Sequence, residues 1–548
     1  MTRRLIVAAL GATLALGGLT AAPARAATWP APVVVAGPEP TFSYRYDPQT
    51  VVSPDGTTVA SWADTGALDS IMVAEHPAGG TWSTPVPVAP ANVWGNRLAV
   101  GPDGTLAIVY QNVVAGKVVV GAVVRPAGAA WSSPTTLSDP TKSANTPQVA
   151  IGAGTVTAVW TQGSGAASQV LVNSRGLAAA DTWGATPVTL VDAGVSGADV
   201  AASPAGTLVT WLLSSDPTDS YAASTVRASF RGPTGPWSAP VSLSDSTRRV
   251  QTAEAAVGAG GTLAVAWESR LPTTAGYYTS ARTMAAIQPP GEAWGAATVL
   301  SDPDIEGRYP HVGVAPDGST TVVWESYDGA TEKVATRTHR AGAWEPEVDL
   351  TGSVEAESAP QLAIAPDGTA VVELSNLESG VGVAIRPPGS AWRPTDFIAP
   401  AAQAGYTRSL AVGSDTVAVV WTYGNDDVLV AVVADHLLPL PPLPPGSAET
   451  GTISGPGKVK KGKKASFSFA GTPASVSFEC RVDQTRHQQT GAKGKPGHKP
   501  VPWRSCGSPV QVKTKRLKPG HHTLYVRAVL SGVPDPTPST KRFRVTSR

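Results

Sequence analysis

Cysteine and histidine are scarce in this chain of 548 residues, which has two cysteines and eight histidines. Charged residues make up only 15% of the chain. The histidines show no spacing typical of zinc or haem ligands, so we predict no metal site and no cofactor. No long segment has apolar residues at the 3.6-residue spacing of an amphipathic helix, which argues against a helical protein.

Apolar runs of the roughly 18 residues needed to span a bilayer are missing after the N-terminal region. That region starts with two arginines, continues with an apolar stretch from Leu5 to Ala22, and ends with Ala24-Arg25-Ala26. This pattern is typical of a secretory signal peptide cut after Ala26, and a membrane anchor is the alternative. No cysteine stands near the cut, which excludes a lipoprotein anchor. We therefore predict a signal peptide at 1–26 and a secreted protein, with association with the cell wall as an open possibility.

Glycine and proline are abundant, with 56 and 50 residues, as expected for many short strands joined by turns. Tryptophans mark a repeat with spacings between 48 and 57 residues. The repeated tryptophans are Trp29, Trp82, Trp131, Trp183, Trp237, Trp294, Trp344 and Trp392. A period near 50 built from strands is typical of propeller blades, because one such unit cannot bury its own faces. Two stacked sandwiches are the alternative.

One repeat unit can be divided into four strands. His311 to Ala315 is a short apolar run, and the Pro-Asp-Gly turn at 316–318 connects it to a second strand, Thr320 to Trp324. Val334 to Thr338 alternates as a third strand, and the segment from Trp344 to Leu350 is the fourth. Eight such units predict an all-β fold with an eight-bladed propeller over residues 27–435.

The hairpin at 360–369, Pro-Gln-Leu-Ala-Ile-Ala-Pro-Asp-Gly-Thr, resembles the first hairpin of NHL and TolB-type propeller blades. The resemblance implies that the first strand lines a central channel and that the Trp segment is the outermost strand. The chain then begins with an outermost strand at 29–35 and ends its repeats with a third strand at 428–434. We predict that the N-terminal strand completes the last blade and closes the ring, rather than pairing with 82–88.

The loops between blades, and between the second and third strands, fall on one face of the predicted ring. Tyrosines and charged residues concentrate there, and variable loops on a rigid ring are where propellers place function. The candidate ligand-binding residues are Arg97, Glu268, Arg270, Arg308, Tyr309, His311, Glu325, Tyr327, Tyr406, Arg408 and Tyr423. A tryptophan also recurs at the end of the second strand, where it predicts packing between blades. These residues are Trp62, Trp160, Trp211, Trp267, Trp324 and Trp421.

Secreted propellers include sialidases, which need several arginines, a tyrosine paired with glutamate, and an acidic aspartate. The Asp-box of that family, Ser-x-Asp-x-Gly-x-x-Trp, is absent, since Ser53-Pro-Asp-Gly-Thr57 resembles it only superficially. We therefore predict a non-enzymatic protein that binds a polysaccharide or a protein at the cell surface, with no catalytic residue. A sialidase-like glycoside hydrolase is the alternative. An acidic loop at 425–427 is compatible with calcium binding, but a solvated turn is the simpler explanation.

Charge is divided unevenly along the chain. Residues 451–548 carry 20 Lys and Arg against three Asp and Glu, whereas residues 27–450 carry 19 against 38. A proline-rich linker at 436–451 separates the two parts. The basic segment Lys458 to Lys464 suggests contact with an anionic cell-wall polymer or lipid headgroups. A solubilising surface and docking onto the acidic propeller are alternatives. We predict no nucleic-acid partner and no transmembrane segment.

Both cysteines lie in the basic part, and two cysteines in an exported chain predict one disulfide. The region 452–548 resembles a small Ig-like module of secreted actinobacterial proteins. The matching segments include Ser477-Phe-Glu-Cys480, Trp503-Arg-Ser-Cys506, Leu517-Lys-Pro-Gly-His-His-Thr523 and Asp535-Pro-Thr-Pro538. The resemblance implies a β-sandwich with a Cys480–Cys506 bond and no catalytic activity.

Overall fold

A computed structural model describes most of the chain. The described residues are 29–37, 45–65, 69–90, 95–191, 193–219, 222–271, 281–329, 331–351, 359–376, 380–400, 408–423, 428–435, 449–450, 452–472, 477–482, 503–530, 533–534 and 538–547. The predicted signal peptide, the linker residues 436–448, the loop 425–427 and Tyr406 lie outside them. Within the described part, no helix is long and apolar enough to cross a membrane.

Eight sheets, each with four strands or more, follow one another between residues 33 and 434. The strand β1 (Val33–Ala36) belongs to the last of them, sheet 8. Sheet 1 contains β2 (Arg45–Val52), β3 (Thr58–Asp64), β4 (Ser70–His76) and β5 (Val86–Pro90). Sheet 2 contains β6 (Asn96–Val100), β7 (Leu106–Val114), β8 (Lys117–Arg125) and β9 (Thr135–Thr136). Sheet 3 contains β10 (Ala144–Gly152), β11 (Thr155–Gln162), β12 (Gln169–Gly176) and β13 (Val188–Val191). Sheet 4 contains β14 (Val195–Ser203), β15 (Gly206–Ser214), β16 (Ser224–Arg231) and β17 (Val241–Ser242).

The remaining sheets repeat this order. Sheet 5 contains β18 (Arg249–Val257), β19 (Leu263–Arg270), β20 (Arg282–Gln288) and β21 (Thr298–Val299). Sheet 6 contains β22 (Glu306–Val314), β23 (Thr320–Tyr327), β24 (Glu332–Arg340), β25 (Ala343–Trp344) and β26 (Val348–Asp349). Sheet 7 contains β27 (Gln361–Ile364), β28 (Ala370–Asn376), β29 (Gly380–Arg386) and β30 (Asp396–Ala399). Sheet 8 contains β31 (Arg408–Val412), β32 (Val417–Tyr423), β33 (Val428–Ala434) and β1. The four strands predicted for the unit at 311–350 are confirmed.

Pro-Asp-Gly turns join the first two strands of several sheets. In sheet 6, Oδ1 of Asp317 accepts hydrogen bonds from the backbone N–H and the hydroxyl of Ser319, the former over 2.9 Å. Gly318 has a φ of 81°, a conformation that a residue with a β-carbon rarely adopts. The aspartate and the glycine therefore fix the turn locally, which is why the same tripeptide recurs.

The apolar cores lie between neighbouring sheets. At the end of each second strand, one large side chain packs against the preceding sheet and is at most 2% exposed. These side chains are Trp62, Tyr110, Trp160, Trp211, Trp267, Trp324, Leu374 and Trp421. The prediction that the strand-end tryptophans pack between units is confirmed. Trp62 of sheet 1 packs against Leu429 and Ala431 of sheet 8, so the first sheet contacts the last.

The first strand of each sheet contacts the first strand of the next sheet, and β31 contacts β2. Val33 and Val34 of β1 pair antiparallel with Ala431 and Val430 of β33, which confirms that the N-terminal strand completes sheet 8. The eight first strands thus form a closed circuit of contacts. No sheet closes on itself in the described residues. An all-β fold of four-stranded antiparallel sheets is confirmed, and this arrangement is compatible with a β-propeller.

The C-terminal region forms a separate set of sheets. Its strands are β34 (Glu449–Thr450), β35 (Lys458–Lys460), β36 (Lys464–Phe467), β37 (Gly471–Thr472), β38 (Ser477–Val482), β39 (Arg504–Cys506), β40 (Val510–Lys513), β41 (Gly520–Leu530), β42 (Val533–Pro534) and β43 (Ser539–Thr546). A six-stranded sheet and two strand pairs surround a core that includes Phe467, Leu524 and Phe543. The predicted disulfide joins Cys480 to Cys506, with their Cα atoms 5.8 Å apart.

Candidate functional site

Polar residues occupy equivalent positions on the eight first strands and form what we call the central layer. In every sheet, this polar residue pairs with a residue of the second strand. Its partner is the residue immediately before the large buried side chain at the end of that strand. The central layer consists of Gln49, Arg97, Gln148, Asp199, Glu254, His311, Gln361 and Ser409. All but Ser409 are partly exposed, although they belong to strands rather than to loops. The first strands form a closed circuit of contacts, and each of them carries one member of the layer.

Three consecutive members of the central layer are linked by close contacts. Nδ1 of His311 lies 3.1 Å from Oε2 of Glu254, which belongs to the preceding sheet. Oδ2 of Asp199 accepts a hydrogen bond from the backbone N–H of Ala255 over 2.9 Å. Asp199, Glu254 and His311 therefore form one cluster across sheets 4, 5 and 6, which we call the acid–histidine cluster.

Burial and neighbouring charges shift the pKa values of this cluster. It raises the pKa of Asp199 to about 6, with Glu254 adding to the shift, while two backbone hydrogen bonds and Arg97 oppose it. Burial lowers the pKa of His311, but the carboxylates of Glu254, Asp199 and Glu373 raise it by more, so the net shift is upward. Near pH 6 the cluster thus holds an aspartate close to its own pKa beside a glutamate that is paired with an imidazolium.

Sequence reasoning found two members of the central layer, Arg97 and His311, and missed the other six. A positional signal was available, because each member stands five residues before the first residue of the turn between the first two strands. Gln49 precedes Pro54 by five, and Asp199 precedes Pro204 by the same interval. The signal appears only when the repeats are aligned on their turns.

Three other candidates meet at one end of sheets 5 and 6. We call it the loop end, because it carries the loops between the second and third strands and between successive sheets. Glu268 is fully buried, forms an ion pair with Arg270, and accepts a hydrogen bond from the backbone N–H of Tyr309 over 3.1 Å. Tyr309 has a φ of 48° and lies in a bulge of β22, where it is 39% exposed. Bulges with a left-handed residue recur at Asp47 and Thr146, so this backbone shape belongs to the repeat rather than to one site.

Arg308 joins the candidates of sheet 6. Its guanidinium forms ion pairs with Glu306 and, over 3.4 Å, with Glu325, and it lies 4.6 Å from the centre of the Tyr327 ring. Burial raises the pKa of Glu325 to about 7; the charge of Glu332 adds to the shift and Arg308 opposes it. This group therefore carries one carboxyl that is partly protonated near neutral pH.

Arg408 lies at the start of sheet 8 and reaches back to sheet 7. Its Nε lies 2.7 Å from Oε1 of Glu373, and the two side chains are 4% and 0% exposed. Its Nη1 donates to Oγ of Ser375 over 2.6 Å. Burial raises the pKa of Glu373, while Arg408 and then His311 oppose the shift. Tyr423, the last candidate of this group, is partly buried against the core between sheets 7 and 8.

The arginines of the loop end share one property. Arg45, Arg270, Arg308 and Arg408 each form an ion pair with a carboxylate of the protein. A site that binds the carboxylate of an acidic sugar through several arginines would require these internal pairs to open. In the described residues, no group of three or more His, Cys, Asp and Glu side chains could hold a metal ion.

No family profile matches the chain, and no curated protein matches its sequence. Among solved structures, a lectin from Burkholderia pseudomallei is 15% identical, with a TM-score of 0.44 over 65% of this chain and 100% of the lectin. An ulvan lyase of polysaccharide lyase family 25 is 11% identical, with a TM-score of 0.44 over 72% of this chain and 94% of the lyase. A Hadza microbial sialidase is 13% identical, with a TM-score of 0.35 over 70% of this chain and 74% of the sialidase. These likenesses are too distant to assign a function.

Proposed function

We propose that residues 27–435 form an eight-bladed β-propeller closed by its N-terminal strand, whose central space binds an extracellular glycan. The central layer carries this proposal, because eight polar side chains replace the apolar residues expected between packed strands. Sugar hydroxyls both donate and accept hydrogen bonds. The amides of Gln49, Gln148 and Gln361, together with carboxylates, an imidazole and a guanidinium, offer both roles to such a ligand.

The charge and position of the layer favour an uncharged glycan chain. The layer contains one arginine, Arg97, and two carboxylates, Asp199 and Glu254, so it would repel an acidic sugar. The layer belongs to the circuit of first strands, a position that suits the end of a glycan chain better than the surface of a folded protein. The tyrosines at the loop end, Tyr309 and Tyr327, extend the surface available to sugar rings.

The same proposal places the protein outside the cell. Residues 1–26 act as a signal peptide, 436–451 as a linker, and 452–548 as an Ig-like domain. The Cys480–Cys506 bond fits an oxidising compartment. The lysines of 458–464 contact an anionic cell-wall polymer; Lys458, Lys460, Lys463 and Lys464 are exposed for this purpose. Binding to isolated cell walls that persists unchanged in high salt would contradict this electrostatic contact.

Binding of the mature protein to an array of neutral and acidic oligosaccharides tests the central site. We expect binding to neutral glycans, weakened at least tenfold by Glu254→Gln and by His311→Ala. Glu292→Gln makes the same chemical change at an exposed turn and serves as the matched control. Equal affinities in all three variants, or capture of acidic glycans only, would refute the proposed site.

Glycoside hydrolysis is a second candidate, favoured by the raised pKa of Asp199 beside Glu254. Glycosidases use a carboxylic acid that stays protonated near the working pH together with an ionised carboxylate. Turnover of neutral 4-methylumbelliferyl glycosides, abolished by Asp199→Asn, would support hydrolysis at this pair. Turnover of a sialoside that depends on Arg308 and Arg408 would instead support a sialidase-like site. Binding without turnover favours the non-enzymatic function.

A further inference from the structure

The C-terminal domain packs against the outer strands of sheet 6. Nζ of Lys333 lies 3.3 Å from the hydroxyl of Tyr525 and 5.8 Å from the centre of its ring. The same ammonium group forms a 3.0 Å ion pair with Asp349, and both side chains are 10% exposed. Nη1 of Arg542 contributes a weak hydrogen bond to Ser326 over 3.4 Å. The basic domain is therefore docked on the acidic repeat region.

A cleft of about 270 Å³ lies beside this contact, with one wall from each domain. Arg337, Glu347 and Trp392 line it from sheets 6 and 7, and Thr452, Ile453 and Thr540 line it from the C-terminal domain. Its volume is slightly below the range of about 300–1,000 Å³ that is typical of small-molecule sites, as suits a small ligand. Neither domain alone encloses the cleft.

Several polar groups in the cleft lack partners. The Nε of Arg337 is buried without a hydrogen bond in the described part of the chain. Glu347 has no hydrogen bond or close ion pair with a described residue. Burial raises its pKa even though Arg542 and Arg337 are near enough to oppose the shift. Thr540 is half-buried and Thr452 is exposed, and neither hydroxyl bonds to a described residue. Buried polar groups are normally paired, so the Nε of Arg337 indicates a missing ligand or ordered water, which the two hydroxyls can also reach.

The chemistry of the cleft indicates the class of ligand. Arg337 and Glu347 carry opposite charges on one wall. The other charged residues of the lining are paired, Glu345 with Arg386 and Asp349 with Lys333, so neither an anion nor a cation is favoured. The hydroxyls of the facing wall add groups that donate and accept, while Trp392 and Ile453 supply apolar surface. We propose that this cleft is a second saccharide-binding site, specific for a neutral mono- or disaccharide unit and completed only when the C-terminal domain is docked on sheet 6.

Saturation-transfer NMR on the full-length mature protein tests this site with galactose, mannose, xylobiose and cellobiose as probes. The measurement uses the Glu254→Gln/His311→Ala background, so that the central site does not contribute. We expect at least one probe to bind, and Glu347→Gln and Thr540→Val each to weaken it fivefold or more. Glu292→Gln should leave binding unchanged. Failure of all four probes to bind, or equal binding in every variant, would overturn the proposal.

Lys333→Glu tests whether docking completes the site, because the new carboxylate would repel Asp349. We expect a larger radius of gyration in solution scattering and loss of probe binding, while tryptophan fluorescence shows that the repeat region is still folded. Undocking without loss of binding would show that the cleft is not composite. The central site is tested separately, by Glu254→Gln in the otherwise native protein. A negative result for the central site can therefore be distinguished from a negative result for the cleft.

Discussion

The backbone N–H of Thr50 donates a hydrogen bond to Oγ of Ser409 over 2.9 Å, although 359 positions separate the two residues. The contact joins the first strand of sheet 1 to that of sheet 8. Nearby, a β-carbon on Gly413 would lie only 2.6 Å from Cγ1 of Val52, so the absence of a side chain allows the strands to approach. The first and last repeats are thus joined by a hydrogen bond, a tight approach and the pairing of β1 with β33.

Val35→Asp tests how much β1 contributes to this closure. Val35 is 8% exposed and packs with Trp62 and Leu429, so an added carboxylate would be buried without a partner. We expect a loss of about 3 kcal/mol in the free energy of unfolding. Val34→Asp is the control on the same strand, since Val34 is 53% exposed and should tolerate the charge. Thermal denaturation followed by tryptophan fluorescence measures both, and similar losses would contradict the role of β1.

The pair of Arg408 and Glu373 should behave as a buried ion pair rather than as a ligand-binding group. Arg408→Met leaves the carboxylate of Glu373 buried without its cation, which typically costs about 3–5 kcal/mol. The double variant Arg408→Met/Glu373→Leu removes both charges, so we expect it to recover most of this loss. Chemical denaturation gives the comparison. A double variant as unstable as the single one would assign a different role to the arginine.

Asp199 should make stability depend on pH in a defined direction. Its pKa of about 6 in the folded protein exceeds the ordinary value of 3.8, so the folded state binds more protons between these values. The stabilisation is complete below the ordinary value and is lost as pH rises to about 6. Asp199→Asn can still accept from the N–H of Ala255. Since Asp199 is partly exposed and screened by water, we expect this variant to gain about 1 kcal/mol over the native protein at pH 7.5 and nothing at pH 4. A difference that is constant with pH would contradict this.

Removal of the disulfide should destabilise the C-terminal domain alone. The bond joins residues 26 positions apart, and a loop of this length corresponds to about 3 kcal/mol in the chain-entropy model. We expect Cys480→Ser/Cys506→Ser to increase amide exchange in β38, β39 and β41 while sheets 1 to 5 keep their protection. Equal loss of protection in the repeat region would indicate that the two parts unfold together.

The sequence predicts the repeated, local features of this fold well. The four strands, the Pro-Asp-Gly turns and the packing of Trp324 and its equivalents depend on residues close together in the sequence, and each recurs several times. The pairing of β1 with β33 also follows from counting strands. The disulfide follows from the presence of only two cysteines.

The candidate site was harder to predict, because it depends on strand register and on contacts between distant residues. A bulge lies between Arg308 and His311, and such a shift changes the face on which later side chains stand. The bond from Tyr309 to Glu268 joins residues 41 positions apart. The charged candidates were predicted on a loop face, and several of them form ion pairs within the protein. The charge division offered docking as an alternative, but the contact of Tyr525 with Lys333 has no signal in either segment.

The pairing of β1 with β33 has a consequence for how the chain folds. Sheet 8 cannot be completed before Val428–Ala434 has been made, although its outermost strand is among the first segments synthesised. Until then, two apolar surfaces have no partner. One surrounds Trp62 in sheet 1, and the other is the face of sheet 7 that later covers Trp421. Such exposed apolar surfaces favour aggregation, so an incomplete chain depends on shielding until its last repeat has been made.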